Sequence, residues 1–186
     1  KHFLDSLTIV NAIHVKKIET LIDVGTGAGF PGIPLKIAFP HLKVTLLDSL
    51  NKRIKFLNEV INLLELNDIK AIHGRAEDYA KQAEYREQYD ICVSRAVANL
   101  ATLSEYCLPY VKVDGLFVPY KSGEIDEELK SSEKAVSILG GKVEEVVKFQ
   151  LPGTDIGRSF VKIHKIKETK KKYPRKAGMP TKEPLK

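Results

Sequence analysis

Short apolar runs alternate with amphipathic stretches along most of this chain of 186 residues. Runs rich in Ile, Val and Leu are typical of buried strands, whereas apolar residues three and four positions apart are typical of helices. Strands are predicted at residues 21–24, 43–47, 69–72, 89–94, 115–120, 142–150 and 158–166. Helices are predicted at residues 2–15, 31–38, 50–66, 99–110 and 126–139. This alternation predicts parallel strands that are connected by crossover helices.

The last two predicted strands break that alternation, because only a loop that contains Pro152, Gly153 and Gly157 separates them. So short a connection predicts an antiparallel hairpin that closes an otherwise parallel sheet. We therefore expect an α/β, Rossmann-like sheet of seven strands, with a ligand beyond the carboxyl ends of its first and fourth strands. The first helix has no capping residue before it, and we expect it to be a truncated part of a longer native helix.

The composition is that of one globular domain, with 43% hydrophobic and 29% charged residues. No apolar run approaches the roughly 20 residues of a membrane helix, and the first residues do not resemble a signal peptide, so we expect a cytoplasmic protein. Cys92 and Cys107 lie in apolar contexts without metal-ligand spacing. Buried reduced thiols are therefore expected rather than a disulfide or a zinc site, and no metal is implied.

Positive charge is concentrated at the C-terminus. Residues 165–186 hold nine Lys and Arg against two Glu, a net charge of +7, whereas the whole chain carries +6. We divide the chain into a domain at residues 1–166 and a basic, proline-containing tail at residues 167–186, which we expect to be extended on the surface. Such a tail is either an RNA-binding segment or a solvated terminus. If it binds RNA, truncation after Ile166 weakens RNA binding while cofactor affinity survives.

The glycine-rich run DVGTGAGFPG, residues 23–32, follows the first predicted strand and precedes a helix. A loop in this position presents backbone N–H groups to a nucleotide-like ligand. The dinucleotide fingerprint needs a small sixth residue counted from Gly25, but Phe30 stands there. The spacing of Gly25, Gly27 and Gly29 therefore fits the sulfonium cofactor S-adenosylmethionine better than a pyrophosphate.

Two further strand ends carry candidate cofactor contacts. Asp48 ends the second predicted strand, where a carboxylate can accept both hydroxyl protons of an adenosine ribose; the alternative is a helix N-cap. The run GRAED, residues 74–78, follows the third strand, where a loop would meet the adenine edge. By itself this run is equally consistent with a turn that leads into a capped helix.

Five segments resemble a known family in their order and spacing. They are LIDVGTGAGFPGIPLKIAFP, KRIKFLNEV, HGRAEDYA, DICVSRAVANL and KKYPRKAGMPTKEPL. They are similar to segments of the ribosomal small-subunit RNA guanine-N7 methyltransferases, also called glucose-inhibited division protein B. The resemblance runs from His2 to Leu185, and the FPGIP extension and the YPR-x-x-G-x-P tail are its most specific parts.

The resemblance implies a class I methyltransferase that uses S-adenosylmethionine to methylate guanine N7 in 16S ribosomal RNA, as free RNA or in the small subunit. It places the cofactor contacts on Gly25, Phe30, Asp48, Ser49, Leu50, Ala76, Glu77 and Arg95. Guanine N7 already exposes a lone pair, so no general base is needed and no catalytic residue is predicted. Asp48 stands where the family more often has Glu. We also expect a monomer that does not bind membranes.

Four basic side chains are candidates for contact with the RNA. Arg95 would position cofactor and substrate, unless it forms a salt bridge with Glu77 or Asp78. Lys121 and Arg158 would bind phosphates, unless they are a solvated lysine and a strand-edge arginine. Arg175 in the tail would add a further phosphate contact. Two rival functions remain, a methyltransferase of this fold with another substrate and a non-enzymatic module that senses the cofactor.

Overall fold

One seven-stranded sheet organises the chain, which a computed structural model describes at residues 1–95 and 98–186. The strands are β1 (Thr20–Val24), β2 (Lys43–Asp48), β3 (Ile69–His73), β4 (Tyr89–Arg95), β5 (Val111–Ser122), β6 (Gly141–Gln150) and β7 (Gly157–Lys165). Their order is β3-β2-β1-β4-β5-β7-β6. The first five strands pair in parallel, whereas β7 pairs antiparallel with both β5 and β6. The predicted α/β sheet with a closing antiparallel hairpin is therefore confirmed.

Helices cover both faces of this sheet. They are α1 (His2–Leu7), α2 (Gly32–Ala38), α3 (Asn51–Leu63), α4 (Ala76–Tyr79), α5 (Leu100–Cys107), α6 (Asp126–Ile138) and α7 (Met179–Lys182). Side chains alternate across a strand, so Leu21 packs with α2 and α3 whereas Ile22 and Val24 pack with α5 and α6. The chain thus leaves β1 and β4, which are neighbours, toward opposite faces. A ligand crevice is expected where two neighbouring strands diverge in this way.

Several predicted helix boundaries were wrong. The N-terminal helix ends at Leu7 and is followed by two short 3₁₀ turns instead of continuing to residue 15. The helix α3 begins after Leu50 without a side-chain cap, so Asp48 is not its N-cap. It ends at Leu63 because Glu65 adopts a left-handed φ of 50°. The helix α5 passes into a 3₁₀ turn at Leu108–Tyr110.

Residues 167–186, named here the C-terminal segment, pack back on the domain. Thr169 and Tyr173 are buried, and Tyr173 belongs to the apolar cluster that α5 and α6 form with the sheet. The guanidinium of Arg86 donates hydrogen bonds to the carbonyl oxygens of Thr169 and Tyr173 at 2.7 and 2.9 Å. The expectation of an extended tail was therefore wrong. Its exposed residues include its lysines, such as Lys171.

Candidate active site

A cleft of about 1510 Å³ lies at the carboxyl ends of the parallel strands. Each of these strands contributes a lining residue from its last positions: Val24, Asp48, His73, Arg95 and Lys121. The loops that follow the strands complete the lining. The cleft therefore lies where the strand order predicted it, beyond β1 and β4.

The glycine loop after β1 forms one wall of the cleft. Gly25 and Gly27 line it and adopt left-handed φ values of 71° and 61°. A Cβ atom added at Gly27 would meet nothing within 4 Å, so this backbone faces open space. Gly29 does not line the cleft, and a Cβ atom there would approach the Ile33 side chain to 2.5 Å. The structure thus gives Gly29 a packing role, and its expected cofactor contact is a prediction that the cleft does not support.

Asp48 lies opposite this loop, at the end of β2. Its side chain is 2% exposed, and its two oxygens accept hydrogen bonds from the backbone N–H groups of Gly27 and Leu50, each at 2.9 Å. Arg53, whose side chain is half exposed, pairs with the same carboxylate at 3.1 Å. The carboxylate therefore joins the glycine loop to the start of α3.

This arrangement fits the adenosyl part of S-adenosylmethionine. A carboxylate offers about four lone-pair sites, so Asp48 can accept ribose hydroxyl protons beside its two backbone donors, most simply when Arg53 swings into solvent. Ser49, Leu50, Ala76 and Glu77 line the same side of the cleft. The exposed Leu50 side chain provides an apolar contact surface for a planar base.

Asp23 supports the glycine loop from beneath, a role that the sequence analysis did not assign. Its buried Oδ2 accepts hydrogen bonds from Thr26 Oγ1 at 2.7 Å and from the backbone N–H of Gly32 at 2.9 Å. Oδ1 has no hydrogen-bond partner among the residues that the structure describes. Burial raises the pKa of Asp23 to about 6, although the two hydrogen bonds oppose this effect. The carboxyl group thus organises the loop from outside the cleft lining.

Two arginines form the opposite wall with Asp5, a residue to which no role was assigned from the sequence. The Asp5 side chain is buried, and its oxygens pair with Arg95 Nη1 at 3.2 Å and Arg158 Nε at 3.1 Å. The Arg95 guanidinium lies 5.3 Å from the centre of the Phe30 ring, close enough for a cation–π contact. The alternative pairing of Arg95 with Glu77 or Asp78 is not formed. Both arginines line the cleft.

Lys121 extends this wall beyond β5. Its ammonium group pairs with Glu128 at 2.5 Å and donates to the carbonyl oxygen of Ala98 at 2.8 Å. Glu128 also accepts a hydrogen bond from the backbone N–H of Leu100. Lys121 is therefore not a solvated lysine, because it ties α6 to the residues that precede α5. Glu128 itself was missed by the sequence analysis.

Arg175 does not line the cleft. Its guanidinium forms a bidentate pair with the fully buried carboxylate of Glu105, at 2.7 Å for the shortest contact, and also donates to the carbonyl oxygen of Glu183. The structure thus commits Arg175 to holding the C-terminal segment on α5. Its expected phosphate contact is a prediction that this geometry does not favour.

Glu77 and Ala76 begin α4 at the end of the cleft near β3. The buried Glu77 carboxylate accepts a hydrogen bond from the backbone N–H of Gly178 at 2.9 Å. Gly178 and Thr181 line the cleft beside it. Neither residue was predicted as a cofactor contact, because the C-terminal segment was expected to be a separate tail.

Metal sites and membrane spans can be assessed for residues 1–95 and 98–186, which the structure describes. Within these ranges, no three His, Cys, Asp or Glu side chains are placed to hold a metal ion. The same ranges contain no helix of the length and apolarity that a membrane crossing requires. Cys92 and Cys107 are both free and buried, as expected.

Comparison with known proteins gives consistent matches. Residues 1–161 match the sequence model of the family described as rRNA small subunit methyltransferase G. The chain is 60% identical over 185 residues to the Ribosomal RNA small subunit methyltransferase G of Lachnoclostridium phytofermentans, covering 100% of this chain and 76% of that protein. It is 54% identical over 186 residues to the protein of that name from Clostridium botulinum, covering 100% of this chain and 78% of that protein.

Solved structures support the fold. The crystal structure of M. jannaschii TYW2 in complex with AdoMet superposes with a TM-score of 0.62 at 16% identity. The match covers 80% of this chain and 70% of that one. The similarity shows that this chain has the sheet architecture of an AdoMet-binding protein.

Proposed function

The chain belongs to the rRNA small subunit methyltransferase G family, and from this premise we propose that it methylates N7 of a guanine in 16S ribosomal RNA with S-adenosylmethionine. One observation carries the proposal. A single cleft joins a wall suited to an adenosyl group, built on Gly27 and Asp48, to a wall of cations that includes Arg95, Arg158 and Lys121. Cations of this kind bind the phosphates of an RNA.

The state of the two carboxylates on the cation wall, Asp5 and Glu128, also supports methylation at N7. Asp5 forms salt bridges with two arginines. Glu128 forms a salt bridge with Lys121 and accepts a hydrogen bond from the backbone N–H of Leu100. Such carboxylates are poor general bases, because a proton would have to displace an existing ion pair. Guanine N7 carries an available lone pair and needs no proton to be removed. Methylation at N7 can therefore proceed beside a cation wall that supplies no general base.

S-adenosylmethionine supplies a methyl group that the positive charge of its sulfur activates. The task of the protein is to hold cofactor and base in the reacting geometry. We propose that the cofactor contacts are Gly25, Gly27, Phe30, Asp48, Ser49, Leu50, Ala76, Glu77 and Arg95. Arg95 also faces the substrate, and its contact with Phe30 joins the two halves of the cleft.

The RNA is proposed to approach the cation wall, with Arg158 and Lys121 on its phosphates. Exposed lysines of the C-terminal segment, such as Lys170, Lys171 and Lys172, extend the positive surface. We propose that a monomer acts on 16S RNA, either free or in the small subunit.

Methyl transfer to defined ribosomal substrates tests this function. The purified chain is incubated with S-adenosylmethionine labelled in its methyl group and with small subunits, free 16S RNA, large-subunit RNA as the matched RNA control, or ribosomal protein. Nuclease digestion and mass spectrometry then locate the label. We expect N7-methylguanosine from small-subunit RNA alone. Label on another guanine atom or on protein would reject the proposal, and cofactor binding without any transfer would favour a sensor instead.

A further inference from the structure

The C-terminal segment reaches the cofactor side of the cleft. Its positive charge, taken by itself, predicts only contacts with RNA. The backbone N–H of Gly178 points at Glu77 Oε1 and donates to it at 2.9 Å. Three residues further on, the Thr181 hydroxyl lies 2.7 Å from the hydroxyl of Tyr106, and both residues line the cleft. The segment therefore forms part of the cleft wall beside α4.

Anchors on both sides of Gly178 hold this part of the segment in place. Before it, Arg175 pairs with the buried carboxylate of Glu105. After it, the carbonyl oxygen of Pro180 accepts a hydrogen bond from the buried Thr102 hydroxyl at 2.9 Å. Glu105 and Thr102 both belong to α5. The N–H of Gly178 is thus presented to Glu77 from a fixed position.

The N–H of Gly178 orients the carboxylate of Glu77. Its side chain is 5% exposed, and it lines the cleft at the start of α4. No Lys, Arg or His among the described residues forms a salt bridge with it, so the Gly178 hydrogen bond compensates part of its burial. A carboxylate accepts hydrogen bonds only, and the 6-amino group of adenine is a donor. A fixed Glu77 would therefore distinguish adenine from a base with an oxygen at that position.

We propose that Gly178 is a positioning residue for adenine recognition, which acts by orienting the Glu77 carboxylate. This inference rests on the proposed function, because it takes the ligand of the cleft to be an adenosyl cofactor. The C-terminal segment then serves both substrates: its lysines face RNA and its backbone completes the cofactor site. Truncation after Ile166 weakens cofactor binding as well as RNA binding, contrary to the expectation from sequence.

Two glycine substitutions separate this role from a general effect on stability. Gly178 and Gly153 adopt left-handed φ values of 85° and 72°, and a Cβ atom at either position would meet nothing within 4 Å. Gly178→Ala and Gly153→Ala therefore introduce similar backbone strain. Only Gly178 donates to Glu77, whereas Gly153 lies in the loop between β6 and β7. The second variant is thus a matched control.

The measurement is the Kd of the full-length chain for S-adenosylhomocysteine and for S-inosylhomocysteine, in which oxygen replaces the 6-amino group. Alanine keeps the backbone N–H but disfavours the left-handed φ of 85°, so Gly178→Ala should shift this donor away from Glu77. We expect it to weaken binding of the adenine compound about tenfold, the effect of losing one hydrogen bond to a charged group, and to reduce the preference for adenine. Gly153→Ala should leave both constants unchanged. Equal loss for the two compounds in Gly178→Ala would overturn the proposal, since a merely structural role predicts that result.

Glu77→Gln provides a test that does not depend on backbone strain. The amide oxygen can still accept from Gly178, whereas its NH₂ group can donate to the oxygen of the inosine base. We expect the preference to shift toward S-inosylhomocysteine, and an unchanged preference would overturn the proposal. If the unaltered chain binds neither compound, the proposed function fails and this inference fails with it.

Discussion

The cleft has two walls, named here the glycine-loop wall and the cation wall. The first is built on Gly25, Gly27 and Asp48, and the second on Arg95, Arg158 and Lys121. They differ in how far apart in the sequence their contacting residues lie. On the glycine-loop wall, Asp48 bonds to Gly27, 21 positions away, and to Leu50, two positions away. On the cation wall, Asp5 bonds to Arg95 and Arg158 across 90 and 153 positions. The first wall is built by neighbouring elements of one β-α-β unit. The second exists only when both ends of the domain are folded together.

The two walls also differ in their electrostatics. Asp48 is buried and receives two backbone N–H groups and an exposed arginine, so its carboxylate becomes available to a ligand when Arg53 swings into solvent. On the cation wall, the buried Asp5 already neutralises part of the charge of two arginines. Its benefit is geometric, because the guanidinium groups are held in position before RNA arrives. The glycine-loop wall thus offers the carboxylate of Asp48 as a hydrogen-bond acceptor. The cation wall offers guanidinium groups that are held in position before RNA binds.

The largest expected effect comes from breaking a long-range contact that holds the C-terminal segment on α5. Arg175→Ala leaves Glu105, which has no exposed surface, as a buried carboxylate without its partner. Removing one member of a buried pair costs about 3–5 kcal/mol of unfolding free energy. Urea denaturation followed by circular dichroism measures this loss.

Lys171→Ala is the control for that experiment, because it removes a cation of the same segment that is exposed. Its expected effect on the free energy of unfolding is within about 0.5 kcal/mol. If Arg175→Ala changed stability as little as the control and weakened RNA binding instead, Arg175 would be a phosphate ligand, as the sequence first suggested.

The difference in sequence separation explains what could be predicted. Strand alternation gave the seven-stranded sheet, and the switch between β1 and β4 gave the position of the cleft. Gly25, Gly27 and Asp48 were found because a strand, its glycine turn and the end of the next strand form a local pattern. These features depend on residues that the chain brings together within one supersecondary unit.

Long-range partners could not be found in this way. No role could be assigned to Asp5, because nothing near it in the sequence indicates that Arg158 is its partner. The C-terminal segment was misread because its lysines dominate its composition, although Tyr173 and Pro180 are apolar and both become buried. Such residues within a basic run were the available signal that the segment docks.

A pH-dependent stability test addresses the glycine-loop wall and ranks second in size. Asp23 hydrogen-bonds to neutral donors, and burial raises its pKa from about 3.8 to about 6. Smaller contributions come from Arg95, which lowers the pKa, and from Asp48, which raises it. The folded state therefore binds a proton more readily than the unfolded state between pH 4 and pH 6. Stability from this group increases as the pH falls through 6, by up to about 3 kcal/mol in total.

Asp23→Asn removes this titration while retaining an oxygen that can accept from Thr26 and Gly32. We expect the unaltered chain to gain stability relative to the variant when the pH is lowered from 7.5 to 4.5. Denaturation curves at both pH values for both proteins measure the difference. A constant difference between the two proteins would mean that Asp23 is already ionised at low pH, and that the loop is held differently.

The smallest expected effect tests whether the Asp48 carboxylate of the glycine-loop wall binds the ribose. In Asp48→Asn, the side chain keeps its shape but loses the negative charge and one acceptor oxygen, and its NH₂ group must face the backbone N–H of Gly27 or of Leu50. The ribose hydroxyls therefore lose acceptor sites. A hydrogen bond to a charged group contributes about 2 kcal/mol, so the Kd for S-adenosylhomocysteine should rise roughly 30-fold.

Asp155→Asn, an exposed position outside the cleft lining, is the control and should leave the Kd unchanged. RNA affinity should survive in both variants, because the cations that face RNA are held by Asp5 and Glu128 rather than by Asp48. Parallel loss of cofactor and RNA binding in Asp48→Asn would show that the two walls are coupled, despite being built from separate sets of contacts.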